Sequence, residues 1–525
     1  MDAYAPLHII PMPGAIKHSR KSTIGIISIR KIKYYGKALP YQAMVSPLIK
    51  HYIAQQRVEQ AKILRLAAYD LEGNPLPKRY FYHRIDEYVH HFLHTGREPR
   101  WIMISGLRGV GKTTVLAQLF FEHRKNFKDR VLYLSMDEIA GKLNSNLFEA
   151  LEAYEDLLGE SYASLLDNVL LLIDEVHFDP KWQIALKSLY DKSRRVLIIC
   201  TGSSALAMHR SADTARRSLF EKIFPLKFTE YITLSDTLMG KPRARRAPQI
   251  EESLAQALFY SKNADDAYSL LKDLEPRVRS YWEEVDSRAI ARYIKLYSLP
   301  AVLQYSNETE IYKILNDIVD RVVERDLPAL KSFSTVILAK VPHLLFFLAT
   351  SHTKSIHALA RDVRHIDEKT LIAILRTLES AQLVFRVYPY STSAPKRVRK
   401  PSKYLFLASS MRAAIINLVD SRAVDFQYRG ILLEDSVGMY LHLYFSDAIG
   451  CTIGYDTSRG GADFILDSGN KKIAIEVGWN KNDITQVLRS MQKYKANYGL
   501  LVTNTPLVAL RQEVVIVPLS YFYLL

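Results

Sequence analysis

Three short stretches carry residue types that do phosphate chemistry. The first is Gly106-Leu107-Arg108-Gly109-Val110-Gly111-Lys112-Thr113, which satisfies G-x4-G-K-[ST]. The apolar run Ile102–Ser105 precedes it, and Val115, Leu116, Leu119 and Phe120 follow at helical spacing. A strand, a glycine loop and a helix in that order form a phosphate cradle. Glycines let main-chain N–H groups turn inward, and the helix N-terminus adds positive potential. Lys112 is expected to reach the β- and γ-phosphates, Thr113 to ligate Mg²⁺, and Thr114 to lie near the α-phosphate.

The second stretch, NVLLLIDEVHFDPKW, is a continuous apolar run ending in two acids. Such a run suits a strand covered on both faces. Asp174 at its end is a candidate for the Mg²⁺ shell, and Glu175 a candidate base for an attacking water. The third stretch, RRVLIICTGSS, is a further buried run ending at Thr201. Thr201 is a candidate γ-phosphate sensor; the alternative is a turn that only caps the next helix. Together the three stretches imply ATP and Mg²⁺ as cofactors and a hydrolytic site.

These residues need a sheet that brings strand ends together. The order is strand, loop and helix repeated, with VLYLSMD read as one more strand ending at Asp137. That predicts an α/β domain with a mostly parallel sheet and the ligand at the C-terminal strand ends. A helix is expected from about Pro47 to Asp70, and EGNPLPKRYFYHR marks a boundary.

The chain has 525 residues, too many for one core. Lys plus Arg is 71 against 55 for Asp plus Glu, a net charge of +16 that favours polyanions. The two cysteines, Cys200 and Cys451, lack metal spacing and give no disulfide framework. The N-terminus has no continuous apolar core, and VPHLLFFLAT is far short of a span. The expectation is a cytoplasmic protein without a membrane partner.

GLRGVGKTT, LLLIDEVHFDPKW, LKSLYD, IICTGSSA and FPLKFTEY, in that order, resemble the AAA+-related, archaeal-type P-loop ATPases. SLPAVLQY, VVERDL and LESAQLVFRVYPY extend the likeness, which covers roughly residues 80 to 500. The resemblance implies a helical lid, a winged helix and a C-terminal restriction-endonuclease-like α/β domain after the ATPase. It also implies an arginine shortly before the PLxFxEY segment that acts on a neighbour's nucleotide. Arg216 and Arg217 both qualify; spacing to Pro225 favours Arg217, while Arg216 stands where the family often has glycine. The expected divisions are 1–78 as a basic extension, 79–236 ATPase, 237–335 linker and lid, 336–410 winged helix and 411–525 nuclease-like.

In the winged-helix region, two helices are followed by strands flanking STSAPKRVRKPS. Lys369 and Arg376 on the second helix, and Lys396, Arg397, Arg399 and Lys400 in the loop, are candidate DNA-backbone contacts. A winged helix that packs against protein is the alternative. Further on, Asp463 and Glu476 resemble the D…[DE]-x-K metal site of restriction-endonuclease-like nucleases, with Glu434 a candidate third acid. Gly478 stands where that pattern has lysine, with Lys481 the nearest substitute, so a degenerate, binding or structural version of the nuclease-like domain is expected over an active one. The leading expectation is an ATPase acting on duplex or branched DNA as a homo-oligomer, up to a hexameric ring. A slow ATP-gated regulatory or defence switch and an ATP-regulated nuclease are the other two.

Overall fold

Runs of Val, Ile and Leu with no polar interruption bury both faces of a strand, and in this chain they build the first sheet. The computed structural model describes residues 46–70, 72–202, 212–241, 248–286, 288–351, 353–363, 366–391, 401–419, 424 and 427–525. All of them belong to one compact unit, Val45–Leu525. The strands β1 (Trp101–Gly106), β2 (Val131–Ser135), β3 (Val169–Asp174), β4 (Val196–Gly202) and β5 (Leu219–Ile223) pair in the order β2-β3-β4-β1-β5. Every pairing is parallel. The phosphate-loop strand and the acidic strand therefore flank β4, which sets Thr201 between Gly106 and Asp174.

The strand expected to reach Asp137 ends at Ser135 instead, and Met136–Gly141 is helical. Asp137 and Glu138 lie in that helix's first turn, where the helix dipole favours acids. Helix α1 (Pro47–Ala68) begins with proline at its first turn and covers the outer edge of β2. There Gln60 substitutes for a neighbouring strand: its Nε2 donates to Val131 O at 2.9 Å, and its Oε1 accepts from Tyr133 N at 2.9 Å. Helix α2 (Tyr80–Thr95) leads into β1, and α3 (Lys112–His123) follows the glycine loop.

The second sheet is mixed and has nine strands. These are β6 (Thr353–Lys354), β7 (Val384–Pro389), β8 (Ser402–Phe406), β9 (Thr452–Tyr455), β10 (Phe464–Asp467), β11 (Lys472–Gly478), β12 (Tyr498–Thr503), β13 (Ala509–Arg511) and β14 (Val514–Pro518). Their order is β13-β14-β12-β11-β10-β9-β7-β8-β6. The β7–β8 hairpin follows the helices Ile356–Val363 and Glu368–Ser380. β7 also pairs with β9, Tyr388 opposite Gly454, so one sheet runs across residue 410. Gly454 permits this approach: a Cβ there would lie 2.9 Å from Tyr390 Cα.

Aromatic residues knit the two sheets' layers together. Phe228 stacks on Trp282 with centroids 5.3 Å apart, and its N–H donates to Tyr440 Oη at 2.7 Å. Trp282 Nε1 donates to Ser520 O, and Tyr523 Oη to Ser436 Oγ. Each of these polar tips thus finds a partner, as large amphipathic rings require. No helix among the described residues is long and apolar enough to cross a membrane.

Candidate functional site

The loop between β1 and α3 has the backbone that its glycines promised. Gly109 and Gly111 have φ of 85° and 94°, a region that strains any residue with a Cβ. Gly106 meets a different limit: a Cβ there would lie 2.5 Å from Ile223 Cγ2. Val110 and Leu107 are buried and anchor the loop in the core. Lys112 opens α3, and its Nζ donates to Gly106 O at 2.9 Å and Leu107 O at 3.5 Å. Glu175 Oε1 is 3.8 Å away. The ammonium is thus folded onto its own loop, satisfied by carbonyls rather than by a full counter-charge.

Asp174 collects the neighbouring hydroxyls. Thr113 Oγ1 donates to its Oδ2 at 2.6 Å, Tyr133 Oη reaches the same oxygen at 3.3 Å, and Thr201 Oγ1 donates to Oδ1. Burial, then the Glu175 charge, pushes the Asp174 carboxyl up, and the hydroxyls counter that. A hydroxyl and a carboxylate in contact are hard oxygen donors, so Thr113 and Asp174 fit Mg²⁺. Thr201 also accepts the Glu175 N–H at 3.1 Å. Its hydroxyl is therefore engaged with both acids, from the position between strands that its sequence suggested.

Glu175 has φ 51° and ψ 45°, a left-handed conformation uncommon outside glycine and asparagine. Strain of this kind collects at functional sites. Its Oε2 lies 3.3 Å from His177 Nδ1. Burial lowers the His177 pKa to about 4, so the imidazole is neutral near pH 7.

Three residues at this site, Arg79, Tyr133 and His177, were not singled out by sequence, and Arg108, read there as part of the glycine loop, has a partner that the sequence did not give. Arg79 is buried and donates to Val110 O at 2.7 Å, and both Nε and Nη2 bond the Glu230 carboxylate, at 2.9 and 2.7 Å. It clamps the loop to the helix Phe228–Leu238. Arg108 pairs with Asp326, Nη2 to Oδ1 at 2.7 Å and Nε to Oδ2 at 3.2 Å. Asp326 closes a π-helical turn, Val322–Asp326, inside VVERDL. Tyr133 and His177 complete the set. Glu230 and Asp326 lay inside quoted motifs, but nothing local pointed to their arginine partners.

A cleft of about 370 Å³ opens beside Gly109, Gly111, Lys112, Thr113, Thr114 and Glu175. Its far wall is apolar, with Leu66, Leu76, Pro77, Leu234, Leu238 and Leu303, and Gln118 and Gln304 add amides. Such a wall suits a flat aromatic base. Arg217 does not line the cleft. It pairs with Asp191, Nε to Oδ1 at 2.9 Å. Arg216 is exposed.

The C-terminal acids do meet, but around a lysine. A cleft of about 570 Å³ is lined by Glu434, Asp463, Glu476, Lys403 and Lys481, among others. Lys403 Nζ lies 2.5 Å from Glu434 Oε1 and 2.9 Å from Asp463 Oδ1. Asp463 Oδ2 accepts the Val477 N–H at 3.0 Å. Burial opposes the Lys403 charge, but Asp463 and Glu434 hold its pKa above the ordinary value. Glu476 pairs with Lys481, which also bonds Gln486. A Cβ on Gly478 would lie 2.7 Å from the Lys481 Cβ, so the glycine makes room for this fold-back. Ammonium groups occupy Glu434, Asp463 and one oxygen of Glu476, the acids expected to form a metal set, while the buried Glu476 Oε2 has no hydrogen-bond partner among the described residues. Lys369 and Arg376 are exposed on the helix Glu368–Ser380. Lys396, Arg397, Arg399 and Lys400 lie outside the described residues.

Comparison with known proteins gives a matching frame. The family described as an AAA domain matches residues 98–232, and a domain of unknown function, DUF8612, matches 288–422. An uncharacterized protein of Methanocaldococcus jannaschii, MJ1637, is 35% identical over 434 residues, covering 82% of this chain and 86% of that one. An uncharacterized protein of Haemophilus influenzae is 22% identical over 322 residues, covering 59% of this chain and 68% of its own length. Among solved structures, the Walker-type ATPase PABY2304 of Pyrococcus abyssi aligns over 64% of this chain and 94% of its own, at 12% identity and a TM-score of 0.34. Aeropyrum pernix ORC1 in complex with DNA aligns over 66% and 95%, at 14% identity and a TM-score of 0.32.

Proposed function

We propose that this chain, which belongs to the family of the Methanocaldococcus jannaschii protein MJ1637 and carries an AAA domain, is a Mg²⁺-dependent ATPase that acts on DNA as a homo-oligomer. One observation carries the ATPase reading. Thr113, Asp174, Thr201 and Glu175 form a single hydrogen-bonded chain, and its ends, Thr113 and Glu175, line the same cleft as the glycine loop.

The residues divide the work as follows. Main-chain N–H groups from Gly109 to Thr113 and the α3 N-terminus hold the phosphates. Lys112 exchanges the Gly106 and Leu107 carbonyls for phosphate oxygens. Thr113 and Asp174 would hold Mg²⁺, which would supply positive charge to the phosphate oxygens. Glu175 takes the proton of the attacking water, with its backbone fixed by Thr201 and its carboxylate beside His177. The apolar wall with Leu66, Leu234 and Leu238 takes the base. Arg217, exchanging Asp191 for a neighbour's γ-phosphate, is the trans group of an oligomer.

The DNA reading is supported by the charge of +16 and by exposed Lys369 and Arg376 on one helix. Backbone phosphates are its target, because the helix presents few base-reading side chains. The test is the ATPase rate with single-stranded, duplex and branched DNA, and molecular mass with and without ATP. Stimulation by DNA and growth of mass with ATP are expected; a rate indifferent to every DNA rejects the DNA role. A slow ATP-gated switch is the second reading, favoured by the Arg108–Asp326 pair that ties the loop to the downstream helices. Tight nucleotide retention with little turnover selects it.

A further inference from the structure

The first half of the chain holds a cluster that the nucleotide reading does not use. Helix α2, YFYHRIDEYVHHFLHT, is histidine-rich. Asp86 and His90 are four residues apart, so they share one helix face. His123, the last residue of α3, comes to the same face. Its Nε2 lies 2.5 Å from Asp86 Oδ1, and His90 Nε2 lies 3.7 Å from Asp86 Oδ2. The two imidazole rings meet edge to face, centroids 5.1 Å apart. One ligand atom from each of the three falls within 4.8 Å of the others, and no other three-residue group among the described residues does so.

We infer that Asp86, His90 and His123 form a transition-metal site, taking Zn²⁺ or a similar borderline ion. The chemistry of the donors selects the ion class: two imidazoles and one carboxylate suit Zn²⁺, Co²⁺ or Ni²⁺, and Mg²⁺ poorly. A tetrahedral ion with bonds of about 2.0–2.2 Å sets its ligand atoms roughly 3.4 Å apart. The present spacings of 2.5 and 3.7 Å bracket that value, so small side-chain adjustments close the site. Burial is graded across it. His123 is 1% exposed, while the His90 side chain is 51% exposed. One side of the ion is therefore seated in protein, and the open side has room for water.

The location gives the site a structural task. α3 begins at Lys112 and ends at His123. At about 1.5 Å per residue, the ion stands roughly 16 Å from the phosphate loop and is separate from the nucleotide's Mg²⁺. It ties the far end of α3 to α2, the helix that begins just after the loop clamp Arg79. Binding only to the folded chain raises stability by mass action.

The test uses the full, untagged chain, stripped of metal and returned to buffer with excess Mg²⁺ to saturate oxygen sites. Zn²⁺ is titrated calorimetrically, and Co²⁺ is followed by its visible ligand-field bands. One equivalent of Zn²⁺ is expected, with a rise in Tm. His90→Ala, a change at an exposed position, is expected to weaken Zn²⁺ at least about tenfold, dim the Co²⁺ bands and cancel the Tm rise. His123→Gln serves as a second variant if it folds. No stoichiometric binding by the wild type overturns the assignment. So does binding that His90→Ala leaves unchanged, because the ion is then held elsewhere.

Discussion

The two charged clefts are built from the same parts and end in opposite states. Each has buried carboxylates and a lysine among them. At the glycine loop, Lys112 rests on two carbonyls and stands 3.8 Å from Glu175. Its charge is only partly answered, so an incoming phosphate gains more than it displaces. In the C-terminal cleft, Lys403 touches both Glu434 and Asp463, and Lys481 touches Glu476. There each ammonium already has its carboxylate. What separates them is where the ammonium rests, not residue type: on main-chain carbonyls at the loop, and on carboxylates in the C-terminal cleft.

The sharpest break of this comparison is Lys112→Ala. It removes two or more charge-assisted phosphate bonds at about 1.5–3 kcal/mol each, so ATP affinity should fall at least about 100-fold. Calorimetric titration with ATP–Mg²⁺ reads it; affinity within a few-fold of wild type would mean that the loop is not the site. Next in size is Glu175→Gln, expected to keep ATP binding and slow hydrolysis by about 10²–10⁴-fold. A normal single-turnover rate would remove Glu175 from the role of base.

Lys403→Met tests the other half. It strands Glu434 and Asp463 in a buried pocket, and breaking such a pair costs about 3–5 kcal/mol. The Tm should drop, and Mn²⁺ should recover part of it in the variant but not in wild type. Equal Mn²⁺ response in both would show that the wild-type acids were open to metal after all. ATP affinity should not change.

The smallest effect probes the seam between the two sheets. His442 is stacked on Phe385, centroids 4.8 Å apart, and touches Phe224 edge-on. Burial, then the Lys222 charge, lowers its pKa from 6.5 to about 4. The unfolded chain therefore binds a proton from about pH 6.5 downward, while the folded chain resists it until about pH 4. Its stability contribution is intact above pH 6.5 and is lost as pH falls through that window. The loss is on the order of 3 kcal/mol. His442→Leu should flatten the fall in Tm between pH 6.5 and 4; an unchanged slope would assign the acid sensitivity to other groups.

The glycine loop, the acidic strand and the β4 threonine were legible because their signals are local. Gly109 and Gly111 supply backbone angles, and apolar runs supply buried strands, within a few residues of the chemistry. The β10–β11 hairpin and the helix from Pro47 were legible for the same reason. The exit of the β2 strand at Ser135 was not, because Met136 and Asp137 extend a β-like pattern that the helix dipole overrides. Nor was the sheet that runs through residue 410, because β7 finds β9 only after the chain has folded back.

From the sequence alone came the glycine loop, the candidate Mg²⁺ ligands Thr113 and Asp174, and the acids Asp463, Glu476 and Glu434 as a group. Tertiary structure decided which partner each of these charges meets. Lys403 reaches Glu434 from 31 residues away and Asp463 from 60, Arg79 finds Glu230 across 151, and Arg108 finds Asp326 across 218. Pairings at such separations follow from which strands and helices become neighbours. No window of sequence encodes that adjacency, and it alone fixes whether a buried charge is answered.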